Sequence, residues 1–299
     1  MSAVPGPIRD LRGYGAHAPK APWPDGKRIA VNFCINYEEG AERSVLNGDD
    51  GSEDRIADVF VARRMGERDL NMEQSYGFGA RVGYWRLLHA FTDRGLQATI
   101  NLVGLAGELV PHPLAAMLEA GFDIQCHGWR WIDYHTLSED EERAHIQKSI
   151  DQVVQLTGAP PLGYYAGLPS LNTRRLCAEM GFLYDSDAYD DERPYWSTEF
   201  SRPILVLPYS LDTNDSRFSR GEGYETGDQF VTYIKDSFDL LRAEGGTMLT
   251  VGLHARLLGR PGRIGALHQI LGYIQGHEDA WICRRSEIAE AWARAYPCK

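Results

Sequence analysis

The sequence predicts a single-domain α/β protein that folds as a (β/α) barrel. Short runs of strand character alternate along the chain with longer segments of amphipathic helical period. A repeated strand–helix order predicts a parallel sheet. About eight such units follow one another in a chain of 299 residues, and this number fits a barrel better than an open sheet.

Eight segments have strand character. The first reads RIAVNFCIN, at residues 28–36, and the most apolar reads TMLTVGLH, at residues 247–254. Short runs of this kind, rich in β-branched and other apolar residues, indicate strands. The other predicted strands lie at residues 96–103, 122–126, 161–166, 182–186, 204–209 and 280–283.

Amphipathic segments between the strands predict helices. Ser138, with Glu141 three residues later, has the sequence of a capping box at a helix N-terminus. Glycine follows several of these segments directly, as a left-handed C-cap requires. The long segments 37–79, 187–202 and 212–226 are polar and irregular, and they follow strand ends, where barrel sites form. The predicted helices lie at residues 80–94, 113–120, 138–157, 173–180, 227–244, 264–277 and 286–295.

Charge and composition argue against several classes of partner. With 31 basic and 42 acidic residues the net charge is −11, which argues against nucleic acid and against an anionic membrane surface. No stretch is apolar enough for a membrane span or an export signal, so we expect a cytoplasmic protein. Five scattered cysteines do not form a disulfide framework. Residues 1–26 are predicted to be an arm that packs on the barrel or on a neighbouring subunit, and residues 27–299 the barrel domain.

Two adjacent carboxylates, Glu38 and Glu39, follow the first predicted strand. One carboxylate can act as a base while the other binds a metal or holds a partner in place. Neighbouring side chains on a strand point to opposite faces, so both serve a site only if the strand has already turned. The alternative is a solvated acidic loop.

Two histidines end predicted strands. His127 ends the third and is followed by a cluster of aromatic residues, and His254 ends the most apolar strand and precedes Arg256. A histidine at such a position is a candidate ligand or acid–base group, because its pKa is near neutral. The alternative for either histidine is a core residue that hydrogen-bonds a backbone carbonyl. Arg256 can bind a carbonyl-rich substrate or form a surface salt bridge.

An acidic and aromatic segment follows the fifth predicted strand. It contains Asp185, Asp187 and Trp196. An aspartate here can orient a catalytic histidine, or it can cap a turn. Trp196, like Trp131 after His127, is a candidate for the wall of a pocket, although the core is the default place for a tryptophan.

The motifs NYEEGAER, HGWRWIDY, NTRRL, GFLYDSDAYDD, PYSLDTNDSRF and VGLHARLLGRPGRIGAL together resemble the polysaccharide deacetylase family over nearly the whole chain. The resemblance is strongest to the branch of the metal-independent allantoinases and cyclic-imide hydrolases. It implies a distorted barrel of seven or eight parallel strands in a single domain. It also implies a homo-oligomer, a dimer or a tetramer.

The chain departs from the metal site that the resemblance implies for polymer deacetylases, an acid with an H-x-x-x-H pair. The position four after His127 is Trp131, so one ligand is missing. We therefore expect no cofactor, and any divalent metal such as zinc would be held weakly, by Glu39 and His127. Tyr165 stands where that family has an arginine that orients the base. Leu168 stands where the allantoinase branch has an arginine, which favours cyclic amides in general over allantoin itself.

The sequence therefore predicts a hydrolase that opens a C–N bond in a small cyclic amide, imide or ureide. Glu38 is the expected general base, His254 the acid or oxyanion stabiliser, and His127 the group that polarises the carbonyl. The alternatives are a metal-dependent N-deacetylase of amino sugars or peptidoglycan and a catalytically degenerate member that only binds a ligand. Substrate contacts are expected from Glu39, Trp131, Tyr165, Leu168, Asp185, Asp187, Trp196 and Arg256.

Overall fold

A computed structural model describes residues 6–20, 22–59 and 61–298. The strands form one sheet, and all eight predicted strands are present in it. A further short strand, β6, lies in the segment 187–202, which was predicted to be irregular. The strands are β1 (Ile29–Tyr37), β2 (Thr99–Leu102), β3 (Asp123–Cys126), β4 (Gly163–Tyr164), β5 (Tyr184–Asp185), β6 (Tyr195–Ser197), β7 (Ile204–Val206), β8 (Thr247–His254) and β9 (Ala280–Ile282).

The sheet is parallel except at β6, which pairs antiparallel with β7. Its order is β6-β7-β5-β4-β3-β2-β1-β8, with β9 added beside the first half of β1. The sheet curls into a half-barrel, so the predicted single-domain α/β barrel is confirmed. β1 pairs with β8 from Ile29↔Thr247 to Asn36↔His254. This register places the residues that follow β1 beside the end of β8.

The segment after β7 covers the opening between β7 and β8. Asn214 forms a parallel bridge with Gly252 of β8. The hydroxyl of Thr213 donates a hydrogen bond of 2.6 Å to the backbone carbonyl of Thr250. Because of this attachment, Asp215, which follows Asn214 in the chain, lies at the end of β8.

Helices cover the outside of the sheet, and the seven predicted helices are all found. The capping box at Ser138 is also confirmed. No helix in the described part of the chain is long and apolar enough to cross a bilayer. The helices are α1 (Leu70–Phe78), α2 (Tyr84–Thr92), α3 (Gly104–Leu109), α4 (Pro111–Glu119), α5 (Glu139–Thr157), α6 (Thr173–Met180), α7 (Gly227–Glu244), α8 (Ala255–Leu258), α9 (Ile264–Gln275) and α10 (Arg285–Ala295).

Helix α1 corrects the prediction that residues 37–79 are irregular. Asp69 caps it by accepting hydrogen bonds from the backbone N–H groups of Asn71 and Met72. The helix has no apolar stripe, because its buried residues mix polar and apolar types: Met72, Ser75 and Tyr76. Helical periodicity is therefore absent from a segment that tertiary contacts hold as a helix.

The barrel interior is polar at its centre. Asn32, Asn101 and Gln125 point inward from β1, β2 and β3 and are fully buried. Arg285, at the start of α10, is also fully buried and donates to the side-chain oxygens of Gln125 (3.1 Å) and Asn32 (3.0 Å). Buried polar groups must be hydrogen-bonded, so this network fixes the strands to one another below the site.

The arm packs on the barrel through aromatic residues. The hydroxyl of Tyr14 donates to the carbonyl of Pro194, and Trp23 is buried against Trp292 with ring centroids 6.0 Å apart. Residues 1–5 and 21 of the predicted arm lie outside the described residues. Contact of the arm with a second subunit stays a prediction.

Candidate active site

Glu38 is the centre of a buried cluster at the carboxyl ends of the strands. It follows β1 directly, and only 1% of its surface is exposed. Its Oε1 lies 3.2 Å from Nε2 of His127 and 3.6 Å from Nε2 of His254. Its Oε2 accepts a hydrogen bond of 2.6 Å from Arg256. The structure therefore brings together the three residues predicted to be catalytic, and the strand has turned far enough to bury Glu39 as well.

The charges around Glu38 set its protonation. Burial alone would raise the pKa of Glu38, but the positive charges of Arg256 and His254 and the hydrogen bond from His127 outweigh it. The pKa of Glu38 is consequently held well below its usual range. Glu38 is therefore a carboxylate at neutral pH and is available to accept a proton.

His254 is held by a second carboxylate, that of Asp215. Its Nδ1 donates a hydrogen bond of 2.6 Å to Oδ1 of Asp215, and its backbone N–H donates one of 2.7 Å to Oδ2. Burial lowers the pKa of His254, but the carboxylates of Glu38 and Asp215 raise it more, to about 9. His254 is therefore an imidazolium at neutral pH, with its Nε2 proton directed to the Glu38 side of the cluster.

His127 is oriented by the backbone. Its Nδ1 lies 2.6 Å from the carbonyl oxygen of Tyr165. Because a carbonyl oxygen can only accept, Nδ1 carries a proton and Nε2 is the atom that faces Glu38. A hydrogen bond to a backbone carbonyl was the alternative to a catalytic role for this histidine. In the structure this hydrogen bond orients His127 so that its Nε2 faces the cluster.

Asp215 orients His254, and this position corrects the prediction of Asp185 or Asp187. Asp185 accepts a hydrogen bond of 2.7 Å from Arg174. Asp187 accepts two backbone N–H groups of the loop after β4, at 2.7 Å and 2.8 Å. Asp215 lies in the motif PYSLDTNDSRF of the family resemblance, but its Asn, Asp and Ser fit a turn as well as a site, so the motif did not indicate which residue orients His254.

Glu39 has partners other than the predicted His127. Its Oε2 accepts a hydrogen bond from the hydroxyl of Tyr84, and its Oε1 lies 3.2 Å from Nη1 of Arg256. His127 contacts Glu38 instead, and a weak metal site at Glu39 and His127 stays a prediction.

The side chains present do not fit the three-ligand metal site that the family resemblance implies. Within the described ranges, no three His, Cys, Asp or Glu side chains are grouped so as to hold a metal ion. The guanidinium of Arg256 lies within 3.2 Å of both Glu38 and Glu39, so a positive charge already faces these two carboxylates. The steps proposed below are therefore derived from the side chains of the chain. The expectation that no cofactor is needed stays a prediction.

Arg256 also differs from its predicted role as a substrate contact. It lies in α8, directly after the strand that carries His254, and is fully buried. Its guanidinium bonds Glu38 and Glu39 and stacks 4.0 Å from the centroid of the Tyr76 ring. In the structure Arg256 is the counter-ion of the two glutamates.

A π-helical turn, Gly79–Gly83, places Tyr84 against Glu39 between α1 and α2. Turns of this kind are rare and occur frequently at functional sites. Gly79 packs directly on the Glu39 carboxylate, with no room for a Cβ atom. The absence of a side chain at this position allows α1 to approach the site.

Replacing Gly79 with alanine is expected to reduce the free energy of unfolding by about 1–3 kcal/mol, because the added methyl overlaps the Glu39 carboxylate. Gly77→Ala is the matched control, since nothing lies within 4 Å of a Cβ there. This control is expected to be neutral or stabilising by up to about 1 kcal/mol. Urea unfolding of both variants tests the packing, and equal stability would contradict it.

Two of the predicted pocket aromatics border the cluster. The ring of Tyr165 stacks on that of His127, with centroids 5.0 Å apart and planes inclined by 10°. The guanidinium of Arg256 lies 6.0 Å from the ring centroid of Trp131, which is buried. Trp131 therefore lies near Arg256, the counter-ion of Glu38, and it stands at the position where the family's second metal-ligating histidine is expected.

Trp196 lies elsewhere, on β6, where its Nε1 donates a hydrogen bond of 2.6 Å to the carbonyl of Tyr296. It packs against a second apolar cluster that includes Ala30, Leu205 and Met248, apart from the core that contains Trp131. Leu168 is half-buried and follows Gly167, where an added Cβ would lie 3.3 Å from Cε1 of His127. The backbone at Leu168 thus runs close to the cluster, and its contact with substrate stays a prediction.

Comparison with known proteins agrees with the motifs. The sequence profile of the polysaccharide deacetylase family matches residues 73–182. A protein of Schizosaccharomyces pombe (strain 972) that carries the same family name is 36% identical over 317 residues, which cover 97% of this chain and 98% of the relative. The chain belongs to the polysaccharide deacetylase family. The resemblance drawn from the motifs is thereby confirmed, and the family assigns the chain to the hydrolases.

Solved structures of family members share the fold over almost the whole chain. One, from Pseudomonas aeruginosa PAO1 and described as a polysaccharide deacetylase, has a TM-score of 0.95 at 45% identity and covers 97% of this chain and 99% of its own. The crystal structure of PuuE allantoinase gives the same four values. Both comparisons therefore extend over the strands, the helices and the loops that carry the cluster.

Proposed function

We propose that this polysaccharide deacetylase family member hydrolyses a C–N bond in a small cyclic amide, imide or ureide. The observation that carries the proposal is the burial of the site: Glu38, His127 and His254 are each at most 3% exposed. A site so enclosed suits a small ring better than a polymer chain, which needs an open groove. The 45% identity with a structure named as an allantoinase supports the same substrate class.

Glu38 acts as the general base in this mechanism. Water attacks the ring carbonyl, and Glu38 takes one proton from that water as the carbon–oxygen bond forms. Because Arg256 and His254 hold the pKa of Glu38 low, the carboxylate is a weak base that accepts the proton only as attack makes the water acidic. The product of this step is a tetrahedral oxyanion.

Both histidines stabilise that intermediate, and His254 then assists its breakdown. The imidazolium of His254 and the Nε2–H of His127, which donates to the Glu38 carboxylate, both face the Glu38 oxygen, and in this mechanism the attacked carbonyl lies beside that oxygen. His254 then donates its proton to the ring nitrogen as the C–N bond breaks, which opens the ring to an acid and an amine or amide. A pKa near 9 lets His254 hold the proton at neutral pH and still release it to a more basic nitrogen.

A metal-dependent N-deacetylase of amino sugars or peptidoglycan is the second candidate. The match of residues 73–182 to the polysaccharide deacetylase profile favours it. The side chains of the cluster favour it less, because Arg256 lies where its positive charge opposes that of a bound divalent cation.

A substrate panel with and without a chelator tests the proposal. The panel contains hydantoin, succinimide, dihydrouracil, allantoin, an N-acetylated chito-oligosaccharide and a peptidoglycan fragment. We expect ring opening of at least one cyclic compound, at a rate that EDTA does not change. Release of acetate from the sugars, abolished by EDTA and restored by zinc, would establish the second candidate instead.

A further inference from the structure

Arg256 is bound on several sides by groups of the protein. Its Nε donates a hydrogen bond of 2.6 Å to the carbonyl of Ile56, its Nη1 one of 3.2 Å to Glu39, and its Nη2 one of 2.6 Å to Glu38. The ring of Tyr76 covers one face of the guanidinium at 4.0 Å. The buried arginine therefore binds groups of the protein with each of its three nitrogens.

The other basic side chains of the surrounding loops also contact groups of the protein. The two catalytic histidines face carboxylates, as described above. In the described part of the chain, four arginines of these loops form ion pairs, whereas Arg217, two residues after Asp215, forms none and faces the rings of Tyr224 and Tyr233. The ion pairs are Arg55–Glu53 at 3.6 Å, Arg130–Asp49 at 2.5 Å, Arg260–Asp58 at 3.3 Å and Arg263–Asp58 at 2.7 Å.

A further acidic group, Glu42, lies in the loop after Glu38, and burial raises its pKa to about 7, so it carries only part of a negative charge at neutral pH. Glu42 is 7% exposed and accepts a hydrogen bond of 2.6 Å from the backbone N–H of Gly40. No cation within the described residues forms a salt bridge with it. A negatively charged substituent on a bound ring would thus enter a region of low dielectric in which Glu38 and Glu39 are carboxylates and the guanidinium of Arg256 is already paired with both of them.

We infer that the site takes uncharged rings and discriminates against rings that carry a carboxylate. The inference rests on the proposed function and narrows its substrate class to neutral cyclic amides. Its basis is that Arg256, the cation nearest to Glu38, is already paired with Glu38 and Glu39. A site for an anionic ring would instead present a free guanidinium to bind the carboxylate.

Two substrates of nearly equal shape that differ in one negative charge test whether that charge reduces the rate. Hydantoin-5-acetamide and hydantoin-5-acetate differ only in a neutral amide against a carboxylate. We expect kcat/KM to be at least about 100-fold higher for the acetamide, because the acetate has no cation to pair with. Equal values, or a preference for the acetate, would overturn the inference.

Glu39→Gln tests whether the pairing of Arg256 is the cause. This change removes one of its two carboxylate partners and raises the net charge of the group by one, from negative to zero, so the preference for the acetamide is expected to fall about tenfold. Glu139→Gln, which neutralises an exposed glutamate at the start of α5, is the control and should leave the preference unchanged. An unchanged preference in Glu39→Gln would contradict the role given to Arg256.

The failure of the proposed function is separable from that of the inference. If the enzyme deacetylates a sugar and opens no ring, the proposed function is wrong. The two hydantoins are then compared as competitive inhibitors of that deacetylation. A 100-fold weaker inhibition by the acetate still supports a site that excludes anions, and equal inhibition overturns it.

Discussion

Replacing Glu38 with glutamine is expected to lower kcat/KM for ring opening by about 10³-fold, the size of effect that removal of a general base produces. The amide cannot accept the proton of the attacking water. It also removes the negative charge that faces both histidines and Arg256. The measurement is steady-state kinetics on the ring compound that the wild-type protein opens best.

Stability must be measured with activity in the Glu38→Gln variant, because Arg256 loses one of its two ion pairs. Circular dichroism and thermal unfolding show whether the variant is folded at the assay temperature. Glu139→Gln, on the exposed first turn of α5, is the control and should keep wild-type kinetics. A folded Glu38→Gln protein with wild-type kcat/KM would show that Glu38 is not the base.

The pH dependence of kcat/KM is expected to show an alkaline limb near pH 9, where His254 loses the proton that it donates to the leaving nitrogen. Asp215→Asn should move this limb to lower pH, by roughly one unit, because one of the two carboxylates that raise the pKa of His254 is removed. The full pH–rate profile of both proteins is the measurement.

Asp212→Asn is the matched control for this prediction. Asp212 lies three residues before Asp215 but is exposed and accepts a hydrogen bond from the hydroxyl of Tyr233. Its loss should leave the alkaline limb in place. A limb that stays near pH 9 in Asp215→Asn would contradict the assignment of that limb to His254.

The same raised pKa predicts a pH dependence of stability. His254 ionises near 6.5 when unfolded and near 9 when folded, so the folded state binds the proton more tightly. The stabilisation is complete below about pH 6.5 and is lost as the pH rises through 9. Urea unfolding across this range should therefore show falling stability, and Asp215→Asn should weaken the fall.

The sequence alone determined the elements whose cause is local. The strands at 28–36 and 247–254 are short apolar runs, and the Ser138 capping box marks a helix start within its own first turn. Such patterns depend on residues only a few positions apart, so they can be recognised in the sequence itself. The ends of three predicted strands also indicated Glu38, His127 and His254 as site residues, because barrel sites form where strands end.

Tertiary structure alone decided the partners of those residues. Glu38 and Arg256 are 218 positions apart, and the pair forms only because the register of β1 with β8 brings the strand ends together. Asp215 reaches His254 because the segment after β7 attaches to β8 at Gly252, an arrangement that no local pattern encodes. Side-chain pairing across a barrel depends on strand register and loop closure, which the sequence does not express at any single position. For that reason the residues of the cluster could be predicted while their charges and contacts could not.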